Sequence, residues 1–229
     1  MGVTLRRRLH ETLSAPGAGL LLDLDGTLLD SEPMQRAAFR SYFVARGWDV
    51  PDDVVRQFMG RRGHESFAAV DGPWRGEDPV ALTDAVLALV DPVAHPPRPV
   101  PGAGEAIAGW RERGLPVSLV TSAMRSWATE ALVLLGVAGA GVGLVTAEDT
   151  PVGKPAAAPF LLGARRLGVE PAACVAAEDS LAGLASARAA GVGLVLGVTT
   201  SLGLDALAQA GADAVVPDLR PLVPYPSRS

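Results

Sequence analysis

The stretch Gly19-Leu20-Leu21-Leu22-Asp23-Leu24-Asp25-Gly26-Thr27-Leu28-Leu29-Asp30-Ser31-Glu32 constrains this chain more than any other. A continuous apolar run that ends in two acids is how a strand buried on both faces delivers its C-terminal end to a site. Asp23 and Asp25 are two residues apart, so in an extended chain both side chains leave on one side and converge on a small volume. Two carboxylates about 4 Å apart repel by roughly 4 kcal/mol at an effective dielectric near 20. Such a pair needs a cation or a shared proton, and a divalent metal ion is implied. Gly26 permits a sharp turn after the acids, and Thr27, Asp30 and Ser31 carry the chain off the sheet. The same residues also fit a solvated acidic turn after an ordinary strand. An EF-hand loop fails on spacing, because its glycine belongs at the sixth position and Gly26 stands at the fourth.

After Glu32 the period changes. Met34, Ala38 and Tyr42 share a face with Phe39 and Phe43 beside it, which predicts a helix ending at Gly47. Pro51-Asp52-Asp53 opens another helix that leads to Gly60, and Asp78-Pro79 is an N-cap followed by proline at the first helical position. Residues 31–100 therefore read as all-helical, closed by Pro92, Pro96, Pro97, Pro99 and Pro101 as a stiff extended return. From Gly102 onward helices alternate with short apolar strands expected over 115–120, 142–145, 174–177, 192–196 and 214–216. That alternation predicts an α/β fold, a doubly wound parallel sheet built from 1–30 and 101–229, with the helical segment 31–100 inserted.

Composition closes off several functions. At 229 residues and 48% hydrophobic content the chain can bury a sizeable core. A net charge of −5 argues against a nucleic-acid partner, which needs a clustered basic face. Arg6-Arg7-Arg8, the one basic run of three, reads as part of a frayed polar tail. Cys174 is the only cysteine, so disulfides and thiolate zinc sites are excluded, and it reads as an inert core residue. His10, His64 and His95 show no metal-ligand spacing. The longest uncharged run, 131–147, is shorter than the ~20 residues of a membrane span and is broken by glycines. Asp23 and Asp25 interrupt the apolar part of the N-terminus, so no signal peptide is expected. The reading is a cytoplasmic protein without a membrane partner.

An open parallel sheet binds its ligand at the carboxyl ends of the strands. The first strand ends in Asp23 and Asp25, the second in Thr121-Ser122 and the fourth in Glu178-Asp179, and Gly153-Lys154-Pro155 follows the third. Singly, Thr121 fits a helix cap, Lys154 a solvated loop charge and Glu178-Asp179 a turn. Their joint placement at one sheet edge singles out a site. Gly153-Lys154 is not a P-loop, since Glu148 stands where the first glycine is needed and Pro155 where Ser or Thr is. Gly102 and Gly104 are not a dinucleotide fingerprint either, because Ile107 occupies the third glycine position.

Four segments, Asp-Leu-Asp-Gly-Thr-Leu-Leu-Asp-Ser-Glu at 23–32, Val-Thr-Ser at 120–122, Gly-Lys-Pro-Ala at 153–156 and Glu-Asp-Ser-Leu-Ala-Gly at 178–183, together resemble the haloacid dehalogenase-like superfamily, in its phosphatase and phosphomutase branch. The resemblance spans almost the whole chain. It implies a Rossmann-like core with segment 31–100 as a mobile cap. It also implies that Asp23 attacks phosphorus to form a phosphoaspartyl enzyme, and that Asp25 protonates the leaving alcohol and then deprotonates water. Mg²⁺, a hard cation suited to oxygen ligands, would be held by Asp23, the main-chain carbonyl of Asp25 and Asp179, with Glu178 a further contributor. Thr121 and Lys154 would contact the phosphoryl oxygens, with Ser122 beside them in substrate binding. Dehalogenases of this family lack the second aspartate, so Asp25 points to phosphoryl transfer.

The function so implied is hydrolysis of a small phosphorylated metabolite, a sugar or polyol phosphate, by a monomer. Beta-phosphoglucomutases share the motifs but carry a cap histidine where this chain has Gln35 and an arginine where it has Gly63. A phosphomutase is the alternative, followed by a non-catalytic regulatory protein on the same fold. The loop Gly60-Arg61-Arg62-Gly63-His64-Glu65-Ser66 is expected to face the core when the cap closes. Gly60, Arg61, Arg62, His64 and Glu65 would then read the hydroxyls or a second anionic group of the leaving alcohol.

Overall fold

Gly19–Leu22 (β1), buried at every position, forms the middle of the protein in a computed structural model that describes residues 2–226. Parallel strands Val117–Val120 (β4), Gly143–Val145 (β5), Cys174–Glu178 (β6), Leu194–Val198 (β7) and Ala214–Val216 (β8) complete a six-stranded sheet in the order β5-β4-β1-β6-β7-β8. Winding reverses at β1, which leaves a crevice at its carboxyl end. Leu22 pairs with Leu119 of β4 and Ala177 of β6, so Asp23, Val120 and Glu178 come level at one edge.

Alternation along β1 decides which helices cover which face. Leu20 and Leu22 join the apolar cluster of Gly2–Leu13 (α1), Ala103–Glu112 (α6) and Arg125–Leu134 (α7). Leu21 joins the opposite cluster, with Phe160 of Ala158–Leu167 (α8), Leu184 of Leu181–Ala189 (α9) and Leu207 of Leu204–Gln209 (α10). Buried Cys174 sits in that second cluster, and burial pushes its thiol up to about 11, as an inert core residue should be. Two strands start two residues later than the apolar runs suggest. The Leu115 N–H bonds to the Trp110 carbonyl and the Val192 N–H to that of Ala187, so each residue still closes the preceding helix before its strand begins.

The N-terminal segment corrects the expectation of a frayed tail. It forms α1, because Leu5, Leu9 and Leu13 recur every four residues and make an apolar stripe, with Leu9 and Leu13 buried against the sheet. Arg6 donates to the Val223 carbonyl at 3.1 Å and lies over the Tyr225 ring, while Arg7 and Arg8 remain exposed.

Four helices, Glu32–Ala45 (α2), Asp52–Arg56 (α3), Gly63–Ala69 (α4) and Pro79–Leu87 (α5), follow the first motif and pack on one another. Their core is separate and aromatic: Phe39, Phe43, Phe58, Phe67 and Trp74 meet within it, Phe43 stacking on Trp74 at 5.3 Å. The chain leaves and re-enters the sheet domain through an antiparallel pair, Leu29–Asp30 (β2) with Arg98–Pro99 (β3). Among the described residues no helix is long and apolar enough to cross a membrane.

The α1 stripe yields a stability test. Leu9→Ala is expected to cost about 2–5 kcal/mol in urea unfolding, since it empties a fully buried site. Arg7→Ala with Arg8→Ala should stay within about 0.5 kcal/mol of wild type.

Candidate active site

Strands β1 and β6 and the loop before α8 bring four charged side chains together almost out of reach of water. Asp23, Lys154, Glu178 and Asp179 are 4%, 1%, 0% and 3% exposed. Lys154 Nζ donates to Asp23 Oδ1 at 2.5 Å and also to Glu178 Oε1. Burial alone would lower the Lys154 pKa, but the two carboxylates outweigh it and hold the ammonium above its ordinary value. Burial, and after it the neighbouring acids, raises both Glu178 and Asp179. Lys154 therefore balances only part of the acidic charge. Carboxylate oxygens of Asp23, Glu178 and Asp179 lie within 4.8 Å of one another, and a divalent metal fits that donor set in charge and in chemistry.

Hydroxyl groups fix these acids in place. Thr27 Oγ1 donates to Asp179 Oδ1 at 3.3 Å, Ser201 Oγ to Asp179 Oδ2, and Ser180 Oγ to Glu178 Oε2 at 3.1 Å. Gly26 turns at φ +84°, and a Cβ there would stand 1.9 Å from Asp179 Oδ2. Both the turn and the close seat of Asp179 require glycine.

Asp25 has different surroundings. Part of it faces a cavity and protein encloses the rest, while its Oδ1 accepts from Ser31 Oγ at 2.6 Å and from the Trp127 indole at 2.9 Å. Burial pushes this carboxyl up to about 6, with Asp23 adding to the rise and the Ser31 and Trp127 hydrogen bonds opposing it. An acid poised there can both give and take a proton near neutrality. Thr121, at the end of β4, opens the turn whose Ala123 N–H bonds back to its Oγ1 at 3.0 Å.

The cavity, about 430 Å³, is floored by Asp23, Asp25, Thr121 and Ser122 and roofed by the helical insert. Gly60, Arg61, Arg62 and His64 all line it. Arg62 is buried and donates to Thr150 Oγ1 at 2.6 Å, while Glu65 accepts from the Gly153 N–H at 2.8 Å. Ser122 Oγ donates to the Gly60 carbonyl at 3.2 Å. Gly60, at φ +74°, lies so close to the core that a Cβ would stand 2.4 Å from Ser180 Oγ. The insert is thus closed on the sheet edge. Its Glu65 touches the residue that precedes Lys154.

Sequence patterns alone place Trp127 on a helix face and assign no chemistry to the end of β7. The structure turns the Trp127 indole onto Asp25 and brings Ser201 to Asp179 and Thr200 to the Gly26 carbonyl. Three consecutive hydroxyls, Thr199-Thr200-Ser201, directly after β7 are the signal that could have found them.

Two substitutions check these contacts. Trp127→Phe removes one donor to an acid, worth about 1.5–3 kcal/mol, and should lower kcat for an aryl phosphate roughly 10- to 100-fold without loss of the fold by circular dichroism. Glu65→Ala should lower kcat about tenfold, and Glu65→Gln, which still offers Gly153 an acceptor, should restore most of it.

A family model for haloacid dehalogenase-like hydrolases matches residues 18–191. Validoxylamine A 7'-phosphate phosphatase of Streptomyces hygroscopicus subsp. limoneus is 35% identical over 203 residues, covering 87% of this chain and 92% of the relative. Fructose-1-phosphate phosphatase YqaB of Escherichia coli (strain K12) is 33% identical over 187 residues, covering 78% of this chain and 95% of the relative. Among solved structures, a hydrolase from Pseudomonas syringae shares the fold with a TM-score of 0.79 at 23% identity, covering 90% of this chain and 95% of that one. The beta-phosphoglucomutase of Clostridium difficile shares it with a TM-score of 0.73 at 20% identity, covering 87% and 90%. The charged cluster at the edge of the doubly wound sheet and the match across its motifs agree, and this chain belongs to the haloacid dehalogenase-like hydrolase family.

Proposed function

We propose that the protein is a cytoplasmic, monomeric, Mg²⁺-dependent phosphatase that hydrolyses a small phosphorylated metabolite, a sugar or polyol phosphate, through a phosphoaspartyl intermediate. One observation carries the reading: two acids on one segment keep different company, Asp23 bonded to the Lys154 ammonium and Asp25, at the cavity floor, bonded to Ser31 and Trp127 and lifted by burial to about 6. Relatives named for hydrolysis of validoxylamine A 7'-phosphate and of fructose 1-phosphate support the substrate class.

Asp23 attacks phosphorus as the bond to the leaving oxygen breaks, and Asp25 gives that oxygen its proton. Asp25 then takes a proton from water as the water attacks the phosphoaspartate, which releases inorganic phosphate and restores Asp23. Lys154 holds Asp23 in place through its ion pair and offsets the charge of the arriving dianion. Thr121 offers its hydroxyl to the phosphoryl oxygens, and Ser122 does so when its bond to the Gly60 carbonyl opens. Asp23, Glu178 and Asp179 are the carboxylates that would hold Mg²⁺, and Glu178 also orients Lys154. When bound, the ion neutralises the acidic cluster and the phosphoryl group together. Residues 31–100 act as the cap over a core of 1–30 and 101–229, closing through loop 60–65 and excluding water from the phosphoenzyme until the alcohol has left. Gln35 lines the cavity, and an amide cannot move protons as the mutases' cap histidine does, which favours release of phosphate over its return to a sugar.

Asp23→Asn should abolish turnover of every substrate while the melting temperature stays near wild type. The uncatalysed reaction can need up to ~10²¹-fold acceleration, so loss of the attacking oxygen is close to total. Activity within tenfold of wild type would overturn the nucleophile assignment. Treatment with EDTA should likewise remove turnover, and added Mg²⁺ should restore it.

A further inference from the structure

From the walls of the cavity we infer the class of leaving group, resting on the phosphatase reading above. Beyond the reacting end these walls are largely carbon: Met34, Phe39 and Phe58 on α2 and the segment after α3, and Val86, Leu87 and Val90 on and after α5. Phe39, Phe58 and Val86 also belong to the aromatic core of the insert, so this surface is built in and is not a loop that happens to lie there. Polar groups are few and some are already engaged. Thr83 donates to the Pro79 carbonyl at 2.8 Å, and Arg62 to Thr150 at 2.6 Å. Gln35, Arg61, His64 and the exposed Ser126 are left to read anything past the phosphoryl group.

A linear hexitol bears a hydroxyl on every carbon. Several of them would be set against Phe39, Val86 and Leu87 with no partner, and burying an unpaired hydroxyl is unfavourable. A cavity of about 430 Å³ also has room for more than a six-carbon chain. The preferred substrate is a sugar phosphate whose sugar carries an apolar substituent, an alkyl or aryl glycoside. Its sugar hydroxyls meet Gln35, Arg61 and His64, and its hydrocarbon part lies on Phe39, Val86, Leu87 and Val90. The reaction is unchanged, with water supplying the oxygen that ends on phosphate and the sugar oxygen leaving protonated.

Steady-state hydrolysis with Mg²⁺ of sorbitol 6-phosphate, glucose 6-phosphate and phenyl β-D-glucoside 6-phosphate tests this. The phenyl glucoside ester should show a kcat/KM at least tenfold above that of sorbitol 6-phosphate, about 1.4 kcal/mol, carried mainly by KM. Leu87 is 53% exposed at the rim of the wall, so Leu87→Ser should fold normally and reduce that ratio at least threefold, while Leu87→Met retains it. Equal or faster hydrolysis of sorbitol 6-phosphate, or a ratio untouched by Leu87→Ser, overturns the inference and leaves the phosphatase reading intact. Release of no phosphate from these esters or from p-nitrophenyl phosphate overturns both.

Discussion

An ammonium seated between two buried carboxylates is what the rest of this protein is arranged to hold. Lys154 reaches Asp23 and Glu178 at the carboxyl edge of the sheet, where none of the three is more than 4% exposed. Desolvating such groups is costly, and removing one partner of a buried pair costs about 3–5 kcal/mol because the other is left uncompensated. The apolar strands offset that cost. Leu20, Leu21 and Leu22 pack both faces of β1, and the register of β1 against β6 makes Asp23 and Glu178 adjacent without a loop having to search for the geometry. Excess acidic charge in such a place is a defect for stability and a requirement for holding a cation, a conflict characteristic of functional sites.

Lys154 comes from outside the sheet, and its position depends on the loop that carries it. Asp149 anchors that loop. Arg166 beside it holds its carboxyl below the usual range, and it accepts from the Thr146 N–H at 2.8 Å and the Thr146 hydroxyl at 2.9 Å. On the other side, Glu65 and Arg62 of the insert grip Gly153 and Thr150. The loop is therefore held from the core by one acid and from the insert by an acid and a base. The loop that carries Lys154 is thus shared between the core and the insert, with two hydrogen bonds coming from the insert.

Much of the fold is legible in the sequence because its signals are local. The apolar run into Asp23, the glycines after helices and the helical period after Glu32 each report on their own neighbourhood. Asp78 caps α5 through the Val80 N–H, as its position before proline suggests. Less legible features depend on distant residues. The stripe Leu5, Leu9, Leu13 is hidden among arginines, and only the presence of the sheet and of Val223 makes it a packed helix. Trp127 is 102 positions from Asp25, and nothing in the spacing of α7 says that its indole looks toward the acid. The loop arginines differ for the same reason: adjacent in sequence, both line the cavity, but Arg62 is buried and bonded to Thr150 of the core.

The cavity joins two demands that pull in opposite directions. Its floor must present charge to a dianion, and its roof must shield the reacting end from bulk solvent while one water is still admitted. An aromatic core in the insert answers the second demand directly, since Phe39 and Phe58 are both core residues and cavity wall. Burial is the largest cause of the rise of Asp25, and Trp127 both encloses that acid and donates to it. Enclosure favours the protonated form of Asp25, and the Trp127 and Ser31 hydrogen bonds oppose it. The proton affinity of this acid is therefore a balance struck inside the cavity, so a substitution at Trp127 or Ser31 shifts it without touching the Lys154 cluster.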